Sequence, residues 1–289
     1  MASSFNITII RPPGYVHSDA FREVAETVRF GLSNLGYAVE LSENQITETP
    51  RTIVFGAHLL DRGVVGQLPP ATILYNLEQI DPKSEWLQGS LLELIRRHIT
   101  WDYSPQNIAR LTSAGWGHRL IHVPIGYVPQ MTRIVSTPVQ DVDVLFYGSV
   151  NARRQAVLDA LRASGLRVAT AFGVYGRERD QLIARAKIVL NIHYYEAAVP
   201  ETVRLSYLFA NQKAVVSETG PMEDLGILAH AAVYVPYGQL TRTCIALVTQ
   251  DALRKQLEQQ AIKVMRQVKE EAILASALAQ CRTLSHRSG

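Results

Sequence analysis

The chain has 289 residues, of which 47% are hydrophobic and 19% charged, with a net charge of +3; this composition excludes a disordered chain and leaves room for two domains. Its apolar runs are strand-sized, short of the roughly 20 residues needed to cross a bilayer, and no basic residue precedes the N-terminal run MASSFNITII, so neither a membrane span nor a secretory leader is expected. Scattered Lys and Arg argue against a dedicated nucleic-acid surface, and Cys244 and Cys281 provide neither a disulfide framework nor a metal site, so a cytoplasmic protein is expected.

NITII reads as a first strand, followed by the loop RPPGYVHSD and the helix AFREVAETVRFGLSNLG, with Ser18 or Asp19 as its cap and Gly36 at its left-handed end. YAVEL, RTIVFGA and ATILYNLE follow as strands, SLLELIRRH as a helix, ITWDYS as a strand, NIARLTSAG as a helix and HRLIHVPIG as a sixth strand. The segment Tyr127–Gln140, with two prolines, is the expected linker, and a cut near residue 132 gives domains 1–132 and 133–289. The alternation then starts again: DVDVLFYGS, the helix NARRQAVLDALRASG, the strand and loop RVATAFGVYGRERD, a helix, AKIVLNIHYYE, a helix from Glu201, and VVSE. After AAVYVPY, Gln250–Gln280 has helical composition without Pro or Gly, so one or two helices close the chain.

Strict alternation of short apolar strands with helices predicts an α/β fold with two Rossmann-like domains, whose parallel sheets bind ligands outside the carboxyl ends of their strands. In the second half those ends carry Gly148, Ser149, Phe172, Gly173, Tyr175, His193, Tyr194, Tyr195 and Glu218. Gly148 and Ser149 would let a phosphate or sugar approach the backbone, or simply make a tight turn. Arg153 and Arg154 occupy a first helical turn, which disfavours cations unless an anion compensates them; at least one is a phosphate candidate, the other a solvated charge. Phe172 and Tyr175 suit a base pocket. Glu201 at a helix start is explained by the dipole alone, or accepts ribose hydroxyls while the N–H groups of Thr202 to Arg204 and the Arg204 side chain face a diphosphate. His193 and Glu218 would bind donor groups. In the first half, Glu78 ends a buried strand, where an unpaired carboxylate is costly to desolvate. His17 in the first loop, with an ordinary pKa near 6.5, suits a general base, and Asp102 would orient either.

The runs VLFYGSVNARR, FGVYGRERDQLIARAKIVLNIHYYE and ETVRLSYLFANQKAVVSE resemble the C-terminal domains of bacterial group-1-type glycosyltransferases, particularly CgeB-like proteins. The resemblance covers about half of the chain by motif and the first half by architecture. It implies the GT-B architecture, with two sheets facing across a cleft, and transfer of a sugar from a nucleotide-diphosphate donor without a metal or other cofactor. The donor sits on the second domain and an unidentified acceptor on the first. In several inverting members the first loop carries a catalytic histidine, which corresponds to His17 here, although Glu78 ranks first among Glu78, His17 and Asp102. The chain departs from the retaining members at one point: Val199 and Tyr207 stand where they carry two glutamates eight positions apart. A non-catalytic nucleotide-sugar-binding module and a sugar-nucleotide epimerase of the same architecture are the alternatives. A dehydrogenase is disfavoured because no GxGxxG follows either first strand, and an α/β-hydrolase because no GxSxG occurs.

Overall fold

The computed structural model describes residues 4–80, 90–135, 137–194 and 200–286. Two compact units emerge, Met1–Val128 with Lys269–Gly289, and Pro129–Val268.

In the first unit, β1 (Ser4–Ile9), α1 (Arg22–Asn34), β2 (Ala38–Glu43), β3 (Arg51–Phe55), α2 (Arg62–Val65), β4 (Ile73–Asn76), α3 (Ser90–Arg97), β5 (Ile99–Asp102), α4 (Pro105–Ser113) and β6 (Leu120–His122) follow one another. The strands form one sheet in the order β2-β1-β3-β4-β5-β6, with every pairing parallel. Ile7, Ile53, Val54 and Ile73 are fully buried, as a sheet covered by helices requires, each side chain contributing about 1.5–3 kcal/mol. A 3-10 turn, Val16–Phe21, precedes α1, so neither expected residue caps that helix. Buried Ser18 instead donates to the Ile10 carbonyl at 2.8 Å, and Asp19 pairs with Arg11.

In the second unit, β7 (Val142–Tyr147), α5 (Ala152–Ala163), β8 (Val168–Ala171), α6 (Gly176–Arg185), β9 (Ala186–Asn191), α7 (Thr202–Ala210), β10 (Val215–Glu218), β11 (Val233–Val235), α8 (Leu240–Val248) and α9 (Asp251–Met265) form a sheet of order β11-β10-β9-β7-β8. Val144, Phe146, Ile188, Leu190 and Val216 make its core, with Cys244 and Leu240 of α8 packed against them. Asn151 caps α5, accepting from Arg154 N at 3.0 Å, a contact worth about 1 kcal/mol.

Both sheets are doubly wound, and the direction of winding reverses between β1 and β3 in the first and between β7 and β9 in the second. A crevice opens at such a point because the connections leave on opposite faces.

The domain division differs from the sequence reading at the C-terminus. The last helix, α10 (Glu270–His286), belongs to the first unit. It lies so close to α1 that a Cβ on Gly31 would sit 2.7 Å from Glu270 Cγ and Leu274 Cδ1. Asn34 Nδ2 donates to Glu271 at 2.6 Å, and the indole of Trp101 donates to Cys281 at 3.4 Å. Its apolar stripe is generic in sequence, and only packing decides which unit it completes.

Candidate functional site

The reversal point of the second sheet gathers most of the predicted donor residues. β7 ends at Tyr147, and Gly148 follows with a φ of 135°, in the left-handed half of conformational space. A Cβ there would lie 3.1 Å from Arg204 Nη2 and 3.8 Å from Arg154 Nη1, so glycine leaves the two guanidinium groups room above the strand end. The next helix, α5, brings Arg153 and Arg154. Arg153 grips both Glu218 oxygens, donates to the His193 carbonyl at 3.2 Å and stacks 4.0 Å from the Tyr237 ring centroid.

Arg154 is 3% exposed rather than the solvated charge expected of one member of this pair. It donates to the Ile192 carbonyl at 3.0 Å, the Ser149 carbonyl at 2.8 Å and Glu201 Oε1 at 3.2 Å, and burial pulls its pKa down. It therefore ties the ends of β7 and β9 to the start of α7.

Arg204 completes the set. Its Nη1 donates to Asn191 Oδ1 at 3.0 Å, and its guanidinium stacks 4.8 Å from the Tyr147 ring. Three guanidinium groups thus meet two carboxylates, Glu218 and Glu201, and among the described residues Arg204 has no carboxylate partner. A positive charge in excess at a strand end favours an anionic ligand.

Next to it, His193 is 2% exposed, and its Nδ1 lies 3.8 Å from Glu201 Oε2. Neither ring nitrogen of His193, nor Glu201 Oε2, makes a hydrogen bond among the described residues. Buried polar atoms in this state cost free energy that a ligand hydroxyl would recover.

The start of α7 differs from expectation. Thr202 N donates to the Pro200 carbonyl at 2.8 Å and Arg204 N to the Glu201 carbonyl at 3.0 Å, because Glu201, at φ −79° and ψ 58°, turns the chain tightly before the helix. These two N–H groups are used locally and do not face a ligand; the Arg204 side chain supplies the charge instead. Phe172, after β8, is 62% exposed, and Tyr175 is half-buried at the start of α6. Tyr195 and Val199 lie outside the described residues. Tyr207 is 5% exposed, donating to Asp180 at 2.7 Å and accepting from Arg133 Nε at 2.9 Å.

The three residues predicted as catalytic belong to the first unit. His17 is half-buried, 5.4 Å from the Tyr15 ring in an edge-to-face contact. Glu78 follows β4, and burial pushes its carboxyl up. Asp102, fully buried, is pushed up to about 7 by the same cause, opposed by hydrogen bonds from Asn76, Ser104 and Asn107. The side-chain amides of Asn76 and Asn107 also donate to the Glu78 carbonyl, at 3.0 and 2.8 Å. Asp102 therefore fixes the Glu78 loop through two amides rather than touching a reacting group.

Sequence reasoning named the pair Arg153 and Arg154 from the unfavourable place of a cation in a first helical turn without dividing their roles. It passed over Asn191 and His58, which nothing in the local sequence marks.

No family model matches the chain. Among solved structures it is similar to HepE of Anabaena in complex with UDP and glucose, with 12% identity, a TM-score of 0.64 and coverage of 97% of this chain and 99% of that one. It is equally similar to an alpha-glucosyltransferase in complex with UDP and a 13-mer DNA, with 8% identity, a TM-score of 0.65 and coverage of 96% and 99%. The fold is that of the GT-B glycosyltransferases. Sucrose-phosphate synthase from Thermosynechococcus elongatus shares it at 14% identity and a TM-score of 0.57, covering 98% of this chain and 99% of that one. Two uncharacterised proteins of Acanthamoeba polyphaga mimivirus are similar in sequence, one 29% identical over 187 residues and the other 26% identical over 275. The matches cover 61% and 86% of this chain, and 59% and 36% of those proteins' own lengths. These relatives are viral, so they lend no support to the bacterial, CgeB-like subtype expected from the motifs. Among the described residues no helix is long and apolar enough to cross a membrane.

Proposed function

We propose that the chain transfers a sugar from a nucleoside-diphosphate sugar to an acceptor hydroxyl. The observation that carries this reading is Arg204, a guanidinium without a carboxylate partner among the described residues, poised over the side-chain-free Gly148 where the second sheet reverses. A diphosphate there would take the place of the missing carboxylate. As the bond to the leaving group breaks, the developing charge would meet Arg204 and the positive groups beside it, in the role a metal plays elsewhere. Glu201 Oε2 and His193 would accept and donate to donor hydroxyls, and Phe172 with Tyr175 would flank the base. That structural neighbours are glycosyltransferases holding UDP and glucose, or UDP-glucose, supports the same donor class. Glu78 is the acceptor-side base in this reading.

A binding module without turnover is the second reading. It is favoured by Tyr207, whose hydroxyl and ring are engaged by Asp180, Arg133 and Arg179 at the position where the resemblance calls for a glutamate. Calorimetry with UDP and UDP-glucose, followed by an assay for UDP release, separates the two. Binding lost in Arg204→Ala together with release of UDP supports transfer; binding without release over a broad panel of acceptors supports the module; no binding of any nucleotide by folded protein overturns both.

A further inference from the structure

The reversal point of the first sheet, between β1 and β3, carries a second cluster of titratable groups, and His58 is at its centre. β3 ends at Phe55, and Gly56 follows with φ 76°. A Cβ on Gly56 would lie 2.9 Å from the Phe21 ring, so this turn admits only glycine in its present form. The turn delivers His58 to a place where its side chain is 5% exposed, edge-on to Phe21 at 6.0 Å between centroids, with Nε2 3.7 Å from Glu78 Oε1. A small cavity lined by Phe21, Gly56, Leu74, Asn76 and Leu91 adjoins His58. Both partners are held on rigid supports: His58 by the Gly56 turn, and Glu78 by the Asp102–Asn76–Asn107 network. Burial pulls the His58 imidazole down to about 4, so near neutrality the ring is uncharged, and burial pushes the Glu78 carboxyl up, which makes it a stronger base than an exposed one.

At 3.7 Å the two groups are too far apart for a hydrogen bond with each other. One oxygen placed beside both can reach each of them at an ordinary hydrogen-bond distance. We propose that His58 and Glu78 together hold the acceptor hydroxyl, His58 Nε2–H donating to its oxygen and Glu78 receiving its proton. This rests on the glycosyl-transfer reading. In the step, a lone pair of the acceptor oxygen forms the bond to the anomeric carbon as the bond from that carbon to the diphosphate breaks. The bonding electrons leave with the nucleoside diphosphate, and the hydroxyl proton passes to Glu78 Oε1. Substrate classes that fit are alcohols and sugars, presenting one hydroxyl to a site near Tyr15, whose phenol feels the Glu78 charge.

The test compares wild type, His58→Gln, His58→Phe and Glu78→Gln as full chains. UDP binding is measured first, then release of UDP from UDP-glucose with water or glycerol as acceptor, and the tautomer of His58 is read by nitrogen-detected NMR. Expected are equal UDP affinities in all four, release reduced about 100-fold or more in Glu78→Gln and about 10-fold or more in His58→Phe, and partial recovery in His58→Gln, whose amide can still donate. The NMR should find the Nε2–H tautomer, with a resonance that moves in Glu78→Gln. Release by His58→Phe within twofold of wild type, while Glu78→Gln is impaired, would sink the proposal and leave the glycosyl-transfer reading standing. Absence of UDP binding in wild type is the failure of that reading instead. Where UDP binds without release, the ring decides: an Nδ1–H tautomer, or a resonance indifferent to Glu78→Gln, refutes the pairing, and the opposite result supports it.

Discussion

The two units share a doubly wound sheet but treat buried carboxylates in opposite ways. In the second unit Glu218, Glu201 and Asp143 each meet an arginine, and Arg167 with Lys187 holds the Asp143 carboxyl far below the usual range. In the first unit Asp102 and Glu270 meet amides and a backbone N–H, and burial pushes them up to about 7 and about 8, while Glu78 rises by the same cause. A cation beside a carboxylate makes a charge-balanced frame on which one further guanidinium can serve an anion. Neutral donors leave the carboxyl able to exchange its proton near neutral pH. The charge-balanced frame of the second unit is thereby suited to an anion, and the carboxyls of the first unit to proton exchange.

The sharpest way to break this contrast is to remove the frame of the second unit. Arg154→Ala should cost about 3–5 kcal/mol in urea unfolding of that unit, because it leaves Glu201 buried without its cation and two carbonyls without their donor. A cost below about 1 kcal/mol would mean that the pair is not the frame. Arg204→Ala should leave unfolding nearly unchanged, yet lower UDP affinity by about 10-fold to 100-fold, or about 1.4–2.7 kcal/mol, as read by calorimetry.

In the first unit the corresponding test is Glu270, whose carboxylate accepts from Gly126 N at 2.7 Å. Its folded-state carboxyl titrates near 8 against an ordinary 4.5, so the folded state holds a proton that the unfolded chain has lost, and stability falls as pH rises through that window. Glu270→Gln removes the ionisation and keeps an acceptor for Gly126. Its melting temperature relative to wild type should therefore climb between pH 4.5 and 8, reaching a gain of about 5 °C, and level off above; a gain independent of pH would refute the assignment. The smallest effect belongs to Phe172, which is 62% exposed. Phe172→Ala should change stability by less than about 0.5 kcal/mol and weaken UDP binding by about 3-fold to 10-fold if the ring stacks on the base, which calorimetry resolves.

The sites were unequally legible in the sequence. Gly148 and His193 were readable because the strand-to-helix alternation says where a parallel sheet presents its carboxyl ends, and Glu201 and Arg204 because they open the helix that follows. The partition of Arg153 and Arg154 was not readable, since neighbours on a helix point about 100° apart and the surrounding sheet decides which one is buried. His58 escaped notice because its significance is its distance from Glu78, twenty positions on.

By itself the sequence determined the class of fold and the order of its elements. Alternating apolar strands and amphipathic helices can bury their surfaces only as parallel sheets covered on both faces, and Gly and Pro mark the breaks between them. Tertiary structure alone decided that α10 completes the first unit, and which carboxylates meet cations and which meet amides. Those outcomes depend on contacts between residues far apart in the chain, where packing distances of a few tenths of an ångström and the loss of water outweigh any local preference.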